Sequence, residues 1–484
     1  MNSQGATALN TETNFGEESL ASVFGRFNYD FADKYLLTAT VRRDGSSKFG
    51  TNRKFGVFPA VSAGWRVSEE TFFPKNNFLT DLKLRTGWGQ VGSDAIGNFM
   101  YLARIVTGSN YAFGNQSGNS TLGAALSDLA NPNIQWETVT EYNVALEGGL
   151  LNNSLTLSAE YFNRTRTNML LTQNLPGVSG LKEIVQNAGN LTSKGFEFNA
   201  GYRGGGAKVK YSVFGNLTTF NNIVKSLGGS ADIYPLDYSG SGGITLIREG
   251  QPLGVFYGLI SDGLYQTQEE VNAANSADGS IGSPFQNINT APGDFKYRDL
   301  NGDGRINNSD KTIIGNPTPK FTYGFGGELT FGDFDFSMQF FGLAGNDIMN
   351  LNRTTTEASG RSLNKSVTAV NAWSGPGTSN DIPRPILSDP NLNTQVATHL
   401  IENGSYMRLR NVQLGYNIRS EAFKKIRLSG ARVYISVQNA FVLTKFKGID
   451  PEVGLDDNKS AAAGIYNDIY PQPRTISAGL KLDF

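Results

Sequence analysis

The sequence lacks three features that would each have suggested a function. It has no cysteine, which excludes disulfides and thiolate metal sites and suits a surface exposed to an oxidising space. His399 is the only histidine, so histidine-based zinc clusters and histidine-containing triads are excluded, and we interpret it as an incidental loop residue. No apolar run reaches the roughly 18 residues of a helical membrane span. A formal net charge of −1 gives no electrostatic case for nucleic acid binding.

Alternating hydrophobicity is what the sequence does contain. In the last stretch, RTISAGLKLDF, Ile476, Leu480 and Leu482 share one face, whereas Ser477 and Lys481 share the other. This period of two is typical of a strand with one apolar and one polar face. The pattern recurs about a dozen times between connections rich in glycine and polar residues, which is typical of a transmembrane barrel. We therefore predict an all-β protein, a transmembrane antiparallel up-and-down β-barrel with long extracellular loops.

The order of strands and connections predicts about thirteen strands, with short turns alternating with long loops. Residues 1–19 are expected to be a disordered or truncated start, and 20–484 to be barrel. The two longest connections, 221–319 and 345–400, are predicted to be extracellular loops. A change of phase between Leu409 and Val412 predicts a bulge.

The first residues of the sequence and the odd number of predicted strands indicate that the barrel is partial. The opening MNSQGATALNTETN is polar and has no apolar core, so it is not the signal peptide that an outer-membrane protein needs. If short turns are periplasmic, an odd strand count puts the start of the chain outside the cell, whereas bacterial barrels have an even number of strands. We therefore expect the chain to be a fragment whose N-terminal barrel strands lie upstream.

One motif has specific chemistry. Asp299, Asn301, Asp303, Gly304 and Asp310 match a twelve-residue Ca²⁺ loop, in which side-chain oxygens come from positions 1, 3, 5 and 12 and glycine allows the sharp turn. Arg305 would offer its backbone carbonyl at position 7, and Asn307 could hold a water at position 9. No flanking helix pair is evident, so we expect a lone structural loop that binds Ca²⁺. An ion-free turn rich in Asp and Asn is the alternative.

Nothing in the sequence indicates catalysis, and we expect no enzymatic activity. No pair of carboxylates has a spacing that singles it out, and Gly204–Gly206 lacks the strand–loop–helix context of a nucleotide site. Aromatic residues in the predicted loops could stack on sugars or form small loop cores, and the sequence leaves both open. They are Tyr234, Tyr238, Phe256, Tyr257, Tyr265 and Trp373.

Several segments resemble a known family. DFKYRDLNGDG, the run IIGNPTP, and FTYGFGGELTFGDFDFSMQFFGLAGNDIMN are similar to the C-terminal barrel of SusC/RagA-type TonB-dependent outer-membrane transporters. The segments LKLRTGWGQVGSDAIG, GNLTSKGFEF and VYISVQNAFVLTKFKGIDPE resemble the same family in the same order. The resemblance covers nearly the whole chain from about residue 20.

The resemblance implies a nutrient importer of the Bacteroidetes outer membrane. Such a protein imports oligosaccharides or peptides, works with a SusD-like lipoprotein that lids the barrel, and draws energy from TonB through an N-terminal plug that is absent here. Family barrels have about 22 strands, so roughly nine would lie upstream. Polar side chains would line the lumen, among them Arg42, Glu141, Asn143, Glu160, Lys208, Lys210, Arg432 and Gln438.

Two alternatives remain open at the level of sequence. One is a passive porin-like or adhesin-like barrel without a plug. The other is a secreted, soluble, Ca²⁺-binding β-protein that recognises carbohydrate, which predicts that the apolar faces of the strands meet in a closed core.

Overall fold

The computed structural model describes residues 17–484 except 75, 108–110, 113–119, 122, 175–182, 239–240, 277–283, 359–363, 388, 420–427 and 453–462. Its main feature is a wall of thirteen antiparallel strands, each paired with its neighbour along the wall. The predicted number of strands is confirmed. The expected disorder of residues 1–19 falls mainly on residues outside the described part.

Thirteen strands form the wall in chain order. They are β1 Leu20–Phe31, β2 Tyr35–Ser46, β3 Phe55–Arg66, β4 Leu79–Ser93, β5 Glu137–Leu150, β6 Leu155–Asn174, β7 Glu183–Gly205, β8 Val209–Ser226, β9 Phe321–Phe331, β10 Phe334–Ala344, β11 Tyr406–Ile418, β12 Gly430–Thr444 and β13 Thr475–Asp483.

The two faces of the wall differ in polarity, as the alternation predicts. On β5, Tyr142, Val144 and Leu146 point to one face and are 46%, 47% and 49% exposed. Glu141 and Glu147 point to the opposite face, because neighbouring residues of a strand alternate. An exposed apolar band is what a sheet surrounded by hydrocarbon needs. It contradicts the soluble alternative, which required these side chains to meet in a closed core.

Tight turns join the strands at one end of the wall, which we call the turn end. Ala32 and Asp33 have φ angles of 55° and 57° in the β1–β2 turn, and Gly332 has 58° in the β9–β10 turn. Positive φ matches the right-handed twist of the strands that such turns join. The alternation of short and long connections is not perfect. The β2–β3 connection at the opposite, loop end spans only 47–54, whereas the β3–β4 connection at the turn end spans 67–78.

Three strands are longer than their sequence pattern predicts. The pattern places strand seven at 192–202 after a long loop, but β6 and β7 continue pairing from Arg166↔Leu191 to Asn174↔Glu183. Likewise, β8 continues to Ser226, inside the stretch predicted as a loop. Hydrogen bonding between strands can continue beyond the hydrocarbon, where apolar alternation is no longer required. The bulge predicted in β11 is confirmed by a register shift between Leu409 and Asn411.

At the loop end, the described residues of the connections 227–320, 345–405 and 445–474 fold together into a body that we call the cap. Ile244, Phe256, Met349 and Leu400 lie in one buried apolar cluster. A second cluster contains Leu259, Leu264, Phe295, Tyr297 and Ala397. The predicted long loops are therefore packed structures, because their scattered apolar residues meet across connections that are distant in sequence.

Short elements build the cap and the adjoining connections. The helices are α1 Gln268–Asn275, the 3₁₀ turns Val67–Glu69, Asn308–Asp310, Val367–Asn371 and Thr398–Leu400, and a π turn Thr354–Ala358. The short strands are Arg104–Thr107, Tyr111–Ala112, Ser120–Thr121, Ala124–Asp128, Thr245–Leu246, Val255–Gly258, Ser261–Leu264, Phe295–Tyr297, Thr312–Gly315, Asp347–Asn350, Ile401–Asn403 and Ile465–Tyr466. Among the described residues, none of the helices has the length and apolar content to cross a membrane.

A buried carboxylate fastens two parts of the cap to each other. Asp294 is fully buried and accepts hydrogen bonds from the Arg384 guanidinium at 2.7 and 2.9 Å. The amides of Asn391 and Asn393 also donate to it. Burying a charge is costly unless it is paired and hydrogen-bonded, and here both conditions hold.

A second anchor surrounds Arg353. Its guanidinium contacts Glu357 at 2.6 Å and Asp381 at 3.1 Å, and donates to the His399 backbone carbonyl. The imidazole of His399 stacks on Phe295 with ring centroids 3.9 Å apart, and both ring nitrogens are buried without a hydrogen-bond partner. Burial, followed by the nearby Arg353 charge, lowers the pKa of His399 to about 3. The interpretation of His399 as an incidental loop residue is therefore wrong.

The Asp294 anchor predicts a large effect of one substitution. Asp294→Ala leaves Arg384 and two buried amides without their acceptor, so we expect the opening free energy of the cap to fall by about 3–5 kcal/mol. Hydrogen exchange of residues 290–297 and 384–393 measures this, with heat-modifiable electrophoretic mobility checking that the wall is intact. Asp262→Ala is the control, because its pair with Arg298 is exposed and worth at most about 1 kcal/mol. Equal effects of the two substitutions would contradict the anchor.

The buried imidazole predicts a dependence of cap stability on pH. In the open cap His399 takes up a proton near pH 6.5, whereas in the closed cap its pKa is about 3. The closed cap is therefore favoured above pH 6.5 and loses stability as the pH falls, by roughly 1 kcal/mol per unit between pH 6 and 4.

His399→Phe retains the stack on Phe295 and removes the titration, so it should flatten this dependence. Hydrogen exchange of residues 396–403 across that pH range provides the measurement. The same slope in the wild type and the variant would refute the assignment.

Candidate functional site

The polar face of the wall carries a network of charges across β4, β5 and β6. The Arg85 guanidinium lies between two carboxylates, 3.1 Å from Glu147 and 2.7 Å from Glu160. Lys83 contacts Glu147 at 3.2 Å. The register explains the arrangement, because Arg85 pairs with Ala145 and Glu160 pairs with the same residue from the other side. Charges spaced by two residues on adjacent strands therefore meet on one face.

Further ion pairs lie on the polar face around the wall. Glu141 contacts Arg164 at 2.6 Å, and the two residues are direct partners in the β5–β6 ladder. Arg42 contacts Asp44 two residues along its own strand at 2.6 Å. At the other side of the wall, Arg432 donates from Nε to Asp335 Oδ1 over 2.9 Å.

The structure places the residues predicted to line a lumen on this polar face. Of the eight, seven lie within wall strands, and Lys208 lies in the β7–β8 turn. Four of them, Arg42, Glu141, Glu160 and Arg432, belong to the ion pairs described above. Sequence analysis missed their partners Asp44, Arg85, Arg164 and Asp335. Alternation along each strand could have placed these residues on the polar face, but only the register between strands shows which charges meet.

Because these charges occur as pairs, the polar face presents many hydrogen-bonding groups with little uncompensated charge. Such a surface is compatible with water and with hydrated solutes. The apolar opposite face, in contrast, requires a hydrocarbon environment. The wall thus separates two media, which is the property expected of a conduit.

The predicted Ca²⁺ loop forms a compact turn in the cap. Asp299 accepts hydrogen bonds from the backbone N–H groups of Gly302 and Gly304, at 2.7 and 2.8 Å. Asp303 accepts from the Arg305 N–H and from the Asn301 amide, both at 2.9 Å. Gly302 and Gly304 have φ angles of 75° and 76°, which suits glycine at the sharp bend.

Asp310 closes this loop. It is buried, and its two oxygens accept from the N–H groups of Leu300 and Asn307, at 2.9 and 2.8 Å. The described residues contain no group of three or more His, Asp or Glu side chains arranged to hold a metal ion. Any cation here would therefore depend on amide and carbonyl oxygens of Asn301 and Arg305 as well as carboxylates.

The six aromatic residues of the predicted loops differ in their position in the cap. Phe256 and Tyr265 are buried, Trp373 packs on the second apolar cluster, and Tyr238 hydrogen-bonds to Thr354. These four side chains pack or hydrogen-bond within the cap. The remaining two, Tyr234 and Tyr257, form a pair with ring centroids 5.3 Å apart that is accessible from outside.

Comparisons with known proteins agree with this architecture. Residues 2–440 match the family model described as TonB dependent receptor-like, beta-barrel. The chain is 34% identical to TonB-dependent receptor P3 of Formosa agariphila over 491 residues, covering 99% of this chain and 47% of that protein. It is 31% identical over 486 residues to TonB-dependent receptor SusC of Bacteroides thetaiotaomicron, covering 96% of this chain and 44% of that protein.

Solved structures give the same result. A chain of the RagAB peptide transporter superposes with a TM-score of 0.78 at 25% identity, covering 100% of this chain and 50% of that chain. The chain spans about half the length of the relatives it matches. With a wall of matching topology and a family model that covers most of its residues, the chain belongs to the TonB-dependent receptor-like β-barrel family, whose members reside in the bacterial outer membrane.

Proposed function

We propose that this chain supplies barrel wall and extracellular cap to a SusC/RagA-type transporter that imports oligosaccharides or peptides across the outer membrane. The observation that carries the proposal is a wall with an exposed apolar band and an ion-paired polar face, which aligns over its whole length with a RagAB peptide transporter chain. The lipid bilayer contacts the apolar band, and the polar face lines the path of the solute.

The cap supports the second part of the proposal, a SusD-like lipoprotein partner. The cap is built from folded connections at the loop end of the wall. In outer-membrane barrels the long loops lie on the external side, so the cap would offer a broad surface above the conduit. A partner seated there would enclose a bulky solute before it enters. Energy would come from the TonB complex, as the names of the relatives indicate for those proteins.

Energised import distinguishes this proposal from a passive porin-like barrel. In cells that depend on this protein for growth on a nutrient, we expect uptake to stop when TonB is deleted or when the proton-motive force is collapsed. Uptake of labelled oligosaccharides and peptides, compared with a strain lacking the gene, provides the measurement. Uptake that continues without TonB would instead support a passive barrel.

We also propose that the loop from Asp299 to Asp310 binds Ca²⁺ as a structural ion. Each carboxylate oxygen has two acceptor sites, so Asp299 and Asp303 can hold the loop through backbone N–H groups and still offer lone pairs to a cation. Carboxylate, amide and carbonyl oxygens are the ligands that Ca²⁺ prefers. The ion would brace the cap between the buried strand Phe295–Tyr297 and the strand Thr312–Gly315.

The Ca²⁺ site predicts metal-dependent protection of the loop. We expect Ca²⁺, relative to a chelator, to protect residues 290–315 from protease, and Asp303→Asn to remove most of that protection. Asp303 is the suitable position because it is exposed, whereas Asp310 also closes the turn from its buried position. Asp262→Asn removes a nearby exposed charge as the control. Protection that is identical with and without Ca²⁺ would favour the ion-free turn.

A further inference from the structure

Asp232 and Arg248 lie beside the tyrosine pair Tyr234 and Tyr257 on the surface of the cap. The Arg248 guanidinium donates to Asp232 Oδ2 from Nε at 2.9 Å and from Nη2 at 2.6 Å. The hydrogen bond to Asp232 is the main cause that raises the pKa of Arg248, and the Tyr234 and Tyr257 phenols act in the same direction. Tyr234 is 43% exposed, and the Arg248 and Asp232 side chains are 41% and 31% exposed. The cluster is therefore both assembled and accessible.

The backbone beneath the cluster is rigidly held. Ile233 and Ile247 exchange two backbone hydrogen bonds of 3.1 and 2.8 Å, which sets Asp232 opposite Arg248. The Tyr257 N–H donates to the Ile244 carbonyl at 2.9 Å, and Ile244 and Phe256 are fully buried. The side chains thus project from three adjacent backbone segments that rest on the first apolar cluster.

One glycine makes room for the first ring. Gly243 has a φ angle of 93°, and a Cβ at that position would lie 2.8 Å from Tyr234 Cβ. Only glycine combines this conformation with so close an approach. The ring position of Tyr234 is therefore defined by its surroundings.

We propose that Asp232, Tyr234, Arg248 and Tyr257 form a binding subsite for an uncharged oligosaccharide, an inference that rests on the transport function proposed above and specifies its substrate class. The C–H face of a pyranose ring carries slight positive charge and packs on the negative face of an aromatic ring. Sugar hydroxyls both donate and accept, so they match a guanidinium, a carboxylate and two phenols at once.

The charge balance of the cluster favours a neutral sugar over an acidic one. Arg248 is compensated by Asp232, so a carboxylated or sulfated unit would find no uncompensated cation within the cluster and would also meet the Asp232 carboxylate. Addition of its backbone to a free sheet edge is one way in which an extended peptide is bound. The four side chains of the cluster instead fit a ligand whose polar groups surround a ring.

Binding by the intact protein, extracted in detergent from the outer membrane of its own cells, tests the subsite. The probes are maltoheptaose, laminarihexaose, mannohexaose and xylohexaose as neutral sugars, hexagalacturonate as the acidic one, and tryptic casein peptides. We expect binding of at least one neutral sugar, and binding about tenfold weaker after Tyr234→Ala or Tyr257→Ala because the stacking contact is lost. Tyr470→Ala, at a loop tyrosine that is 88% exposed, is the matched control and should bind as the wild type.

A charge variant should change the affinities for the acidic and the neutral probe in opposite directions, which misfolding would not do. Asp232→Asn leaves Arg248 uncompensated, so it should raise affinity for hexagalacturonate while lowering affinity for the neutral probe. The proposal is overturned if the wild type binds only peptides or hexagalacturonate or none of the probes, or if Tyr234→Ala binds like Tyr470→Ala.

The TonB-dependent uptake experiment keeps the two proposals separate. If uptake requires TonB but the Tyr234→Ala variant binds as the wild type does, only the subsite proposal is contradicted. If binding of a neutral sugar depends on Tyr234 but uptake does not require TonB, only the proposal of TonB-dependent transport is contradicted.

Discussion

The structure depends first on the need to pair every backbone polar group inside a hydrocarbon layer. An unpaired N–H or C=O group there costs several kcal/mol, so strands must be joined in an uninterrupted ladder. The wall strands meet this requirement along every edge that pairs with a neighbour, while the outer edges of β1 and β13 have no partner among the described strands. Once the ladder is fixed, the alternation of side chains assigns one face to lipid and the other to solute. The ion pairs that join neighbouring strands on the polar face then follow from the register between those strands.

The cap obeys a different rule, because water surrounds it and a ladder is not required. Its apolar clusters gather residues from connections far apart in the sequence, and buried charges fix how those connections meet. Asp294 with Arg384 and Arg353 with Asp381 each join separate segments, so parting the segments would leave each of these buried charges without its partner. Buried pairs of this kind add specificity to a packing arrangement that apolar contacts alone would leave loosely defined.

The wall could be predicted from the sequence, whereas the cap could not. Alternation predicted the number of strands and the phase change near Leu409, since both are local signals. The upper parts of β6 and β7 were missed because, outside the hydrocarbon, their residues no longer need to alternate. The stacking of His399 on Phe295 joins residues about a hundred positions apart, and no local pattern reports such a contact. The loop that contains Asp299 and Asp303 was predicted from its sequence motif as a Ca²⁺ loop, and its binding of Ca²⁺ stays a prediction.

The long β6–β7 ribbon determines the shape of the entrance. At about 3.3 Å per residue, the 20 residues of β6 extend roughly 66 Å, whereas about ten residues suffice to cross the hydrocarbon. Near β2 and β3 the wall instead ends at a connection of residues 47–54. The rim is therefore bevelled, tall on one side and low on the other. On the transport function proposed above, a long polymer would approach across the low rim and meet the tall ribbon, so its entry would have a preferred direction in the plane of the membrane.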